Sequence, residues 1–163
     1  MKSKLILTFC CMAFFSQWLS AQVIITLPIA PLLVSSGYGY RIHPISKKID
    51  QHTGVDLPVH SGMIKSMMSG KVIGCGYHAL LGNYVRISHG QIESIYGHLS
   101  RILVNMGQDV ETGQCIGFSG QSGSATGEHL HFAITYRGMP IHPLRFITEV
   151  MQKQLLLAPH DHE

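Results

Sequence analysis

Four side chains in this sequence have the types and spacing to hold a metal ion with one imidazole to spare. They are His52 and Asp56 in His52-Thr53-Gly54-Val55-Asp56, and His129 and His131 in Gly127-Glu128-His129-Leu130-His131-Phe132. Zinc held by three protein groups keeps its fourth tetrahedral position for water, whereas a structural zinc closes with four ligands, commonly rich in cysteine. No cysteine lies near either motif. Imidazole and carboxylate donors in this number therefore point to a catalytic ion.

Such donors must be positioned by regular elements. In a strand, residues i and i+2 share a face, so a strand over His129 to Tyr136 projects His129 and His131 side by side. Leu130, Phe132, Ile134 and Tyr136 alternate with His129, His131, Ala133 and Thr135, the pattern of a half-buried strand with its histidines on the less apolar face. The second His-x-His, His160-Asp161-His162, lies at the extreme terminus without flanking periodicity and is expected to be a frayed tail.

Glycine punctuates short apolar runs elsewhere. Strands are expected near Lys71 to Cys75, Asn83 to Ser88, Ile92 to His98 and Cys115 to Phe118, with turns at Gly74, Gly82, Gly90, Gly107, Gly113 and Gly138. Leu144, Ile147, Val150, Met151 and Leu155 follow a near-helical spacing after Pro143, which is well placed to open a helix. Residues 22–35 read as a strand or an extended lead-in. The expected fold is all-β, mostly antiparallel, with one C-terminal helix.

The ordered motifs from Ser36 to Pro143 resemble the lysostaphin-type, or LytM-like, zinc metallopeptidases that act on peptidoglycan. Gly37-Tyr38-Gly39-Tyr40-Arg41-Ile42-His43-Pro44 opens the series, and His52-x-x-x-Asp56 follows. Then come Ser69-Gly70-Lys71-Val72, Gly82-Asn83-Tyr84-Val85, Ser88-His89-Gly90 and Tyr96-Gly97-His98-Leu99-Ser100. Val110-x-x-Gly113-Gln114-x-Ile116-Gly117, Ser122-Gly123-x-x-Thr126-Gly127 and His129-Leu130-His131-Phe132 close it. Either histidine motif alone is weak; their order is specific.

The resemblance implies a barrel- or sandwich-like antiparallel catalytic domain over residues 36–143. It also implies one catalytic zinc bound by His52, Asp56 and His131, with His98 and His129 as catalytic histidines. Arg41 is a candidate for a substrate carboxylate or a loop brace, and Asn83 for a cleft or a turn. Ala133 stands where the family often has an acidic residue, a change that touches no ligand. Family members cut peptide cross-links or stems of peptidoglycan, some at glycyl-glycine bonds and others at D-alanyl bonds to a diamino acid. The diamino-acid bond is favoured here because the sequence has no separate wall-targeting domain.

No His-Glu-x-x-His helix supplies a glutamate base, and Glu128 would face away from His129, so proton transfer falls to His129 or His98, with His129 favoured as the proton carrier and His98 as the stabiliser. His43, His60, His78, His89 and His142 are assigned surface or structural roles. Catalytically inactive relatives that activate another wall hydrolase normally lose zinc ligands, and here the full set is present. Such an inactive regulator is the first alternative, and a metal carrier or sensor without hydrolytic activity, suggested by the histidine content and the tail at residues 160–163, is the second.

The 163 residues carry 12 Lys and Arg, 9 Asp and Glu, and 11 His, room for one domain. Lys2 and Lys4, the apolar run Leu5 to Phe15 and Leu19-Ser20-Ala21 form the layout of a cleavable secretory signal over residues 1–21. Export is expected, to the periplasm or beyond, with no stable membrane insertion afterwards. Without that segment the charges nearly balance, so electrostatics give no case for nucleic acid. Peptidoglycan peptides are the expected partner and a monomer the expected state. Cys75 and Cys115 could form a disulfide or remain thiols.

Overall fold

The computed structural model describes residues 23–42 and 47–157. The expected signal segment, His43, Pro44 and the tail histidines lie outside the described residues. Among the described residues, twelve strands and one helix follow in chain order: β1 (Gly39–Ile42), β2 (Ile49–His52), β3 (Val55–Pro58), β4 (Met63–Lys65), β5 (Gly70–His78), β6 (Gly82–Ser88), β7 (Ile92–Leu99), β8 (Arg101–Ile102), β9 (Asp109–Val110), β10 (Cys115–Phe118), β11 (His129–Tyr136), β12 (Met139–Ile141) and α1 (Pro143–Leu157).

All strand pairs are antiparallel. The main sheet runs β12-β11-β7-β6-β5-β9, with β3 also paired to β11; β4-β10-β8 form a second sheet, and β1 and β2 a separate hairpin. Between the sheets lies a core that includes Val55, Leu57, Ile64, Met67, Val85, Tyr96, Leu130 and Phe132. The Tyr96 hydroxyl accepts from the Met67 backbone N–H at 2.8 Å, so the largest polar ring of this core keeps a partner. α1 packs on β11 and contributes Ile147 to the same core.

The expected major strands are present, several longer than expected. Two expectations change. Gly74 does not make a turn: it lies inside β5, beside the register shift between Val72 and Gly74, where a bulge absorbs one residue. β11 is also not half-buried, because Leu130 through Thr135 are all buried. Alternation predicted one open face, but β11 is interior to the sheet, flanked by β7 on one edge and by β3 and then β12 on the other, and on its histidine face His131, Ala133 and Thr135 are buried while His129 stays half-buried.

The segment at residues 23–35 forms no strand, and is an extended lead-in held by both backbone and side chains. Thr26 N–H donates to Met67 O, Lys65 N–H donates to Pro28 O, each at 2.9 Å, and Ile25 and Ile29 are buried. Cys75 and Cys115 are free thiols, both half-buried. No helix among the described residues is long and apolar enough to cross a membrane.

Candidate metal centre

Cross-strand register brings the two distant motifs together. His131 on β11 stands directly opposite Asp56 on β3, and on its other edge opposite Gly97 on β7, the residue before His98. His52 ends β2, four residues before Asp56, and enters from the hairpin side. His131 Nδ1 lies 3.0 Å from Asp56 Oδ1 and 3.1 Å from His52 Nε2, and His52 Nε2 lies 3.1 Å from Asp56 Oδ1. All three residues are buried.

The outer contacts fix which ring atoms face this centre. His52 Nδ1 is 2.8 Å from Gly37 O, His98 Nδ1 is 2.8 Å from Ser122 O, and His129 Nδ1 is 2.8 Å from Gly127 O. A carbonyl can only accept, so each Nδ1 carries the hydrogen and each neutral ring turns a lone pair inward on Nε2. His52 Nε2 and Asp56 Oδ1 are therefore two acceptors 3.1 Å apart, an arrangement that requires a proton or a cation between them.

A zinc ion with ligands at 2.0–2.1 Å sets tetrahedral donors roughly 3.3 Å apart, close to the spacing observed. His52, Asp56 and His131 are the one group of this kind among the described residues. Two imidazoles and a carboxylate leave a fourth direction free, and they suit zinc by donor type as well as by spacing.

Electrostatics favour the ionised carboxylate. Burial pushes the Asp56 carboxyl up, but hydrogen bonds and charge from His131 and His52 in their protonated form outweigh it and hold it well below the usual carboxylate range. Burial lowers the His131 imidazole, partly offset by Asp56. Burial likewise lowers His98 to about 4, against the opposing bond to Ser122, so His98 is neutral near pH 7. Ligation needs neutral imidazole and ionised carboxylate, and burial favours the neutral ring of His131.

His98 and His129 flank the donors. Their ring centroids are 4.7 Å apart, and His129 Nε2 lies 3.6 Å from Asp56 Oδ1. His98 adopts φ 60°, an uncommon conformation for a non-glycine residue. Its support comes from Ser122, whose carbonyl holds the ring and whose hydroxyl donates to Leu99 O at 2.7 Å. A cavity of about 340 Å³ opens over the centre, lined among others by Asp50, Thr53, Leu81 and Thr126. A second, of about 460 Å³, shares Arg41, Asp56, Thr126 and His129 with it. Together they form a trough across the donors.

The two other sequence candidates have protein partners. Arg41 Nη1 donates to Asp56 Oδ2 at 2.9 Å and also to Ser36 Oγ. Asn83 Nδ2 donates to Leu99 O at 3.0 Å, its backbone N–H donates to Ser122 Oγ, and it is not among the residues lining the cavity over the centre. Glu128 faces away from the donors: it accepts from Ser61 N–H at 2.6 Å and Ser119 Oγ at 2.7 Å. Sequence reasoning gave Ser36 and Ser122 no individual role. Ser122 stood in a motif whose glycines drew attention, and nothing in one sequence signals a carbonyl contact across 24 residues.

Residues 50–143 match the sequence profile described as peptidase family M23. The chain is 40% identical over 107 residues to the peptidoglycan DD-endopeptidase ShyA of Vibrio cholerae serotype O1, covering 64% of this chain and 25% of that protein. It spans about a quarter of the length of the curated relatives it matches. Among solved structures, a zinc-containing peptidase from Vibrio cholerae superposes with a TM-score of 0.69 at 34% identity, covering 74% of this chain and 39% of that one. The catalytic domain of lysostaphin from Staphylococcus simulans superposes with a TM-score of 0.65 at 30% identity, covering 72% and 92%.

Proposed function

The chain belongs to peptidase family M23, and from that premise we propose that it is a zinc-dependent endopeptidase cutting the peptides of bacterial peptidoglycan. The observation that carries this reading is the convergence of His52 Nε2, Asp56 Oδ1 and His131 Nδ1 at 3.0–3.1 Å. Those three residues would hold one zinc. When bound, the ion supplies polarisation of the scissile carbonyl and acidification of the attacking water.

The protein's own groups handle the proton. His129 and His98 both present Nε2 as an acceptor, so either imidazole takes a proton from water positioned in the trough. A protonated ring then donates to the leaving amine or to the developing oxyanion. The sequence suggested His129 for proton transfer and His98 for stabilisation. Because burial keeps His98 neutral, it donates to an oxyanion only after itself taking up a proton, so each ring returns to the amine or oxyanion only the proton it has accepted from water.

Peptidoglycan as substrate is supported by ShyA's name as a DD-endopeptidase, and the D-alanyl bond to a diamino acid is the favoured target. Action outside the cytoplasm, where that polymer lies, is supported by the signal-like residues 1–21. The test is digestion of purified peptidoglycan by protein beginning at Gln22, with mass analysis of released peptides. Monomeric stems released from D-alanyl cross-links are the expected product. Zinc binding without any released fragment would favour the non-catalytic alternative, a regulator that binds and activates another wall hydrolase.

A further inference from the structure

Asp56 is held more completely than a metal donor needs for folding alone. Its backbone N–H donates to Ser36 O at 2.9 Å, and its carbonyl accepts from Ser35 N–H at 2.9 Å and Ser35 Oγ at 3.1 Å. The two carboxylate oxygens then divide their work. Oδ1 faces His52 and His131, while Oδ2 accepts from Arg41 Nη1 at 2.9 Å. Arg41 is itself aimed by the hydroxyl of Ser36, and its Nε is buried without a partner among the described residues.

That orphaned donor is informative. Leaving a buried N–H unpaired costs free energy, and the guanidinium accepts this cost while directing Nη1 at Asp56. On the hairpin, Arg41 pairs in register with Asp50, an acid directly across the strand, yet its ion pair is made with Asp56 instead. We propose that Arg41 is a positioning residue, which ties up Asp56 Oδ2 so that Oδ1 alone is offered to the metal. The inference rests on the zinc reading above. Its consequence is a carboxylate ligand of one oxygen, which keeps the remaining coordination direction open for water and the scissile carbonyl. A carboxylate free to rotate would offer both oxygens and close that direction.

The experiment uses the protein from Gln22 onward and Arg41→Met, with zinc affinity read by competition with a chromophoric chelator. Cobalt substitution reads the coordination number through the visible d–d band. Circular dichroism and melting of the metal-free forms check the fold, and if Arg41→Met does not fold, Arg41→Gln takes its place. The expected result is a weaker cobalt band, as coordination rises when the second oxygen binds, with a zinc complex at least as tight as the parent's because an oxygen donor is gained and a nearby cation lost. Removing a cation near a dication tightens binding by charge alone, so the coordination number decides, and an unchanged cobalt band overturns the inference. An unchanged complex and cobalt spectrum with lost turnover would assign Arg41 to substrate instead. Failure of the parent protein to bind zinc would sink the metal reading itself, a result separable from any effect of Arg41.

Discussion

His52, His98 and His129 each donate Nδ1–H to a main-chain carbonyl and face inward through Nε2, yet only His52 joins the donor group with Asp56 and His131. Ligands and proton carriers should therefore separate experimentally. Asp56→Ala and His131→Ala are expected to lose more zinc affinity than the roughly 10- to 100-fold typical of removing an outer partner. His98→Ala and His129→Ala should keep zinc near parental occupancy and lose about two to four orders of magnitude in turnover. Metal content by atomic absorption beside peptide-release rates checks both, and zinc loss in His129→Ala would exchange the roles of His129 and His131. A second prediction concerns Gly54. A Cβ there would stand 2.8 Å from both Cε1 and Nε2 of His131 and 2.7 Å from Phe132 O, closer than side chains pack. Gly54→Ala should push the His131 ring off its donor position, and zinc titration should show weakened binding even where the fold persists.

At the scale of elements, β11 organises the site because it is paired on both edges. β3 delivers Asp56 opposite His131, and β7 delivers Gly97 and then His98. Loop 119–127 is pressed against the start of β6, where Gly82 and Gly123 approach so closely that a Cβ on Gly123 would lie 2.3 Å from Gly82 N. That approach sets Ser122 under His98. Asn83 braces the same corner through Leu99 O, so Asn83→Ala should lower turnover at nearly constant KM and cost about 1 kcal/mol of stability, the usual worth of one such bond. A raised KM at unchanged kcat would instead return Asn83 to substrate contact. The lead-in is equally part of the domain. Ile29 is buried against the core, and Ile29→Ala should cost about 2–4 kcal/mol, read from urea unfolding; a change within 0.5 kcal/mol would mean that the segment is only draped on the surface.

Over the whole molecule, a half-buried polar network away from the trough gives stability a pH dependence. His89 Nδ1 donates to Ser69 O and Nε2 accepts from the Ser94 hydroxyl, both at 2.8 Å, and burial lowers its pKa. A histidine with a depressed folded pKa contributes fully above its unfolded value, near 6.5, and that contribution is lost as pH falls through the folded value. With chelator present, unfolding free energy should decline below about pH 6.5, and His89→Gln, which keeps a donor and an acceptor but does not titrate, should flatten that decline by up to one proton. Parallel curves for the two proteins would place the titration elsewhere. The sequence by itself determined the donor types, the strand carrying His129 and His131, the major strands and the closing helix, because periodicity and residue chemistry are local properties. Only the tertiary structure decided that Asp56 faces His131 across β3 and β11, that Arg41 grips the far oxygen of Asp56, that Ser122 seats His98, and that β11 is buried on both faces. Those facts depend on register and on contacts between residues 15 to 79 positions apart, and the pattern along one strand does not record which strand lies beside it.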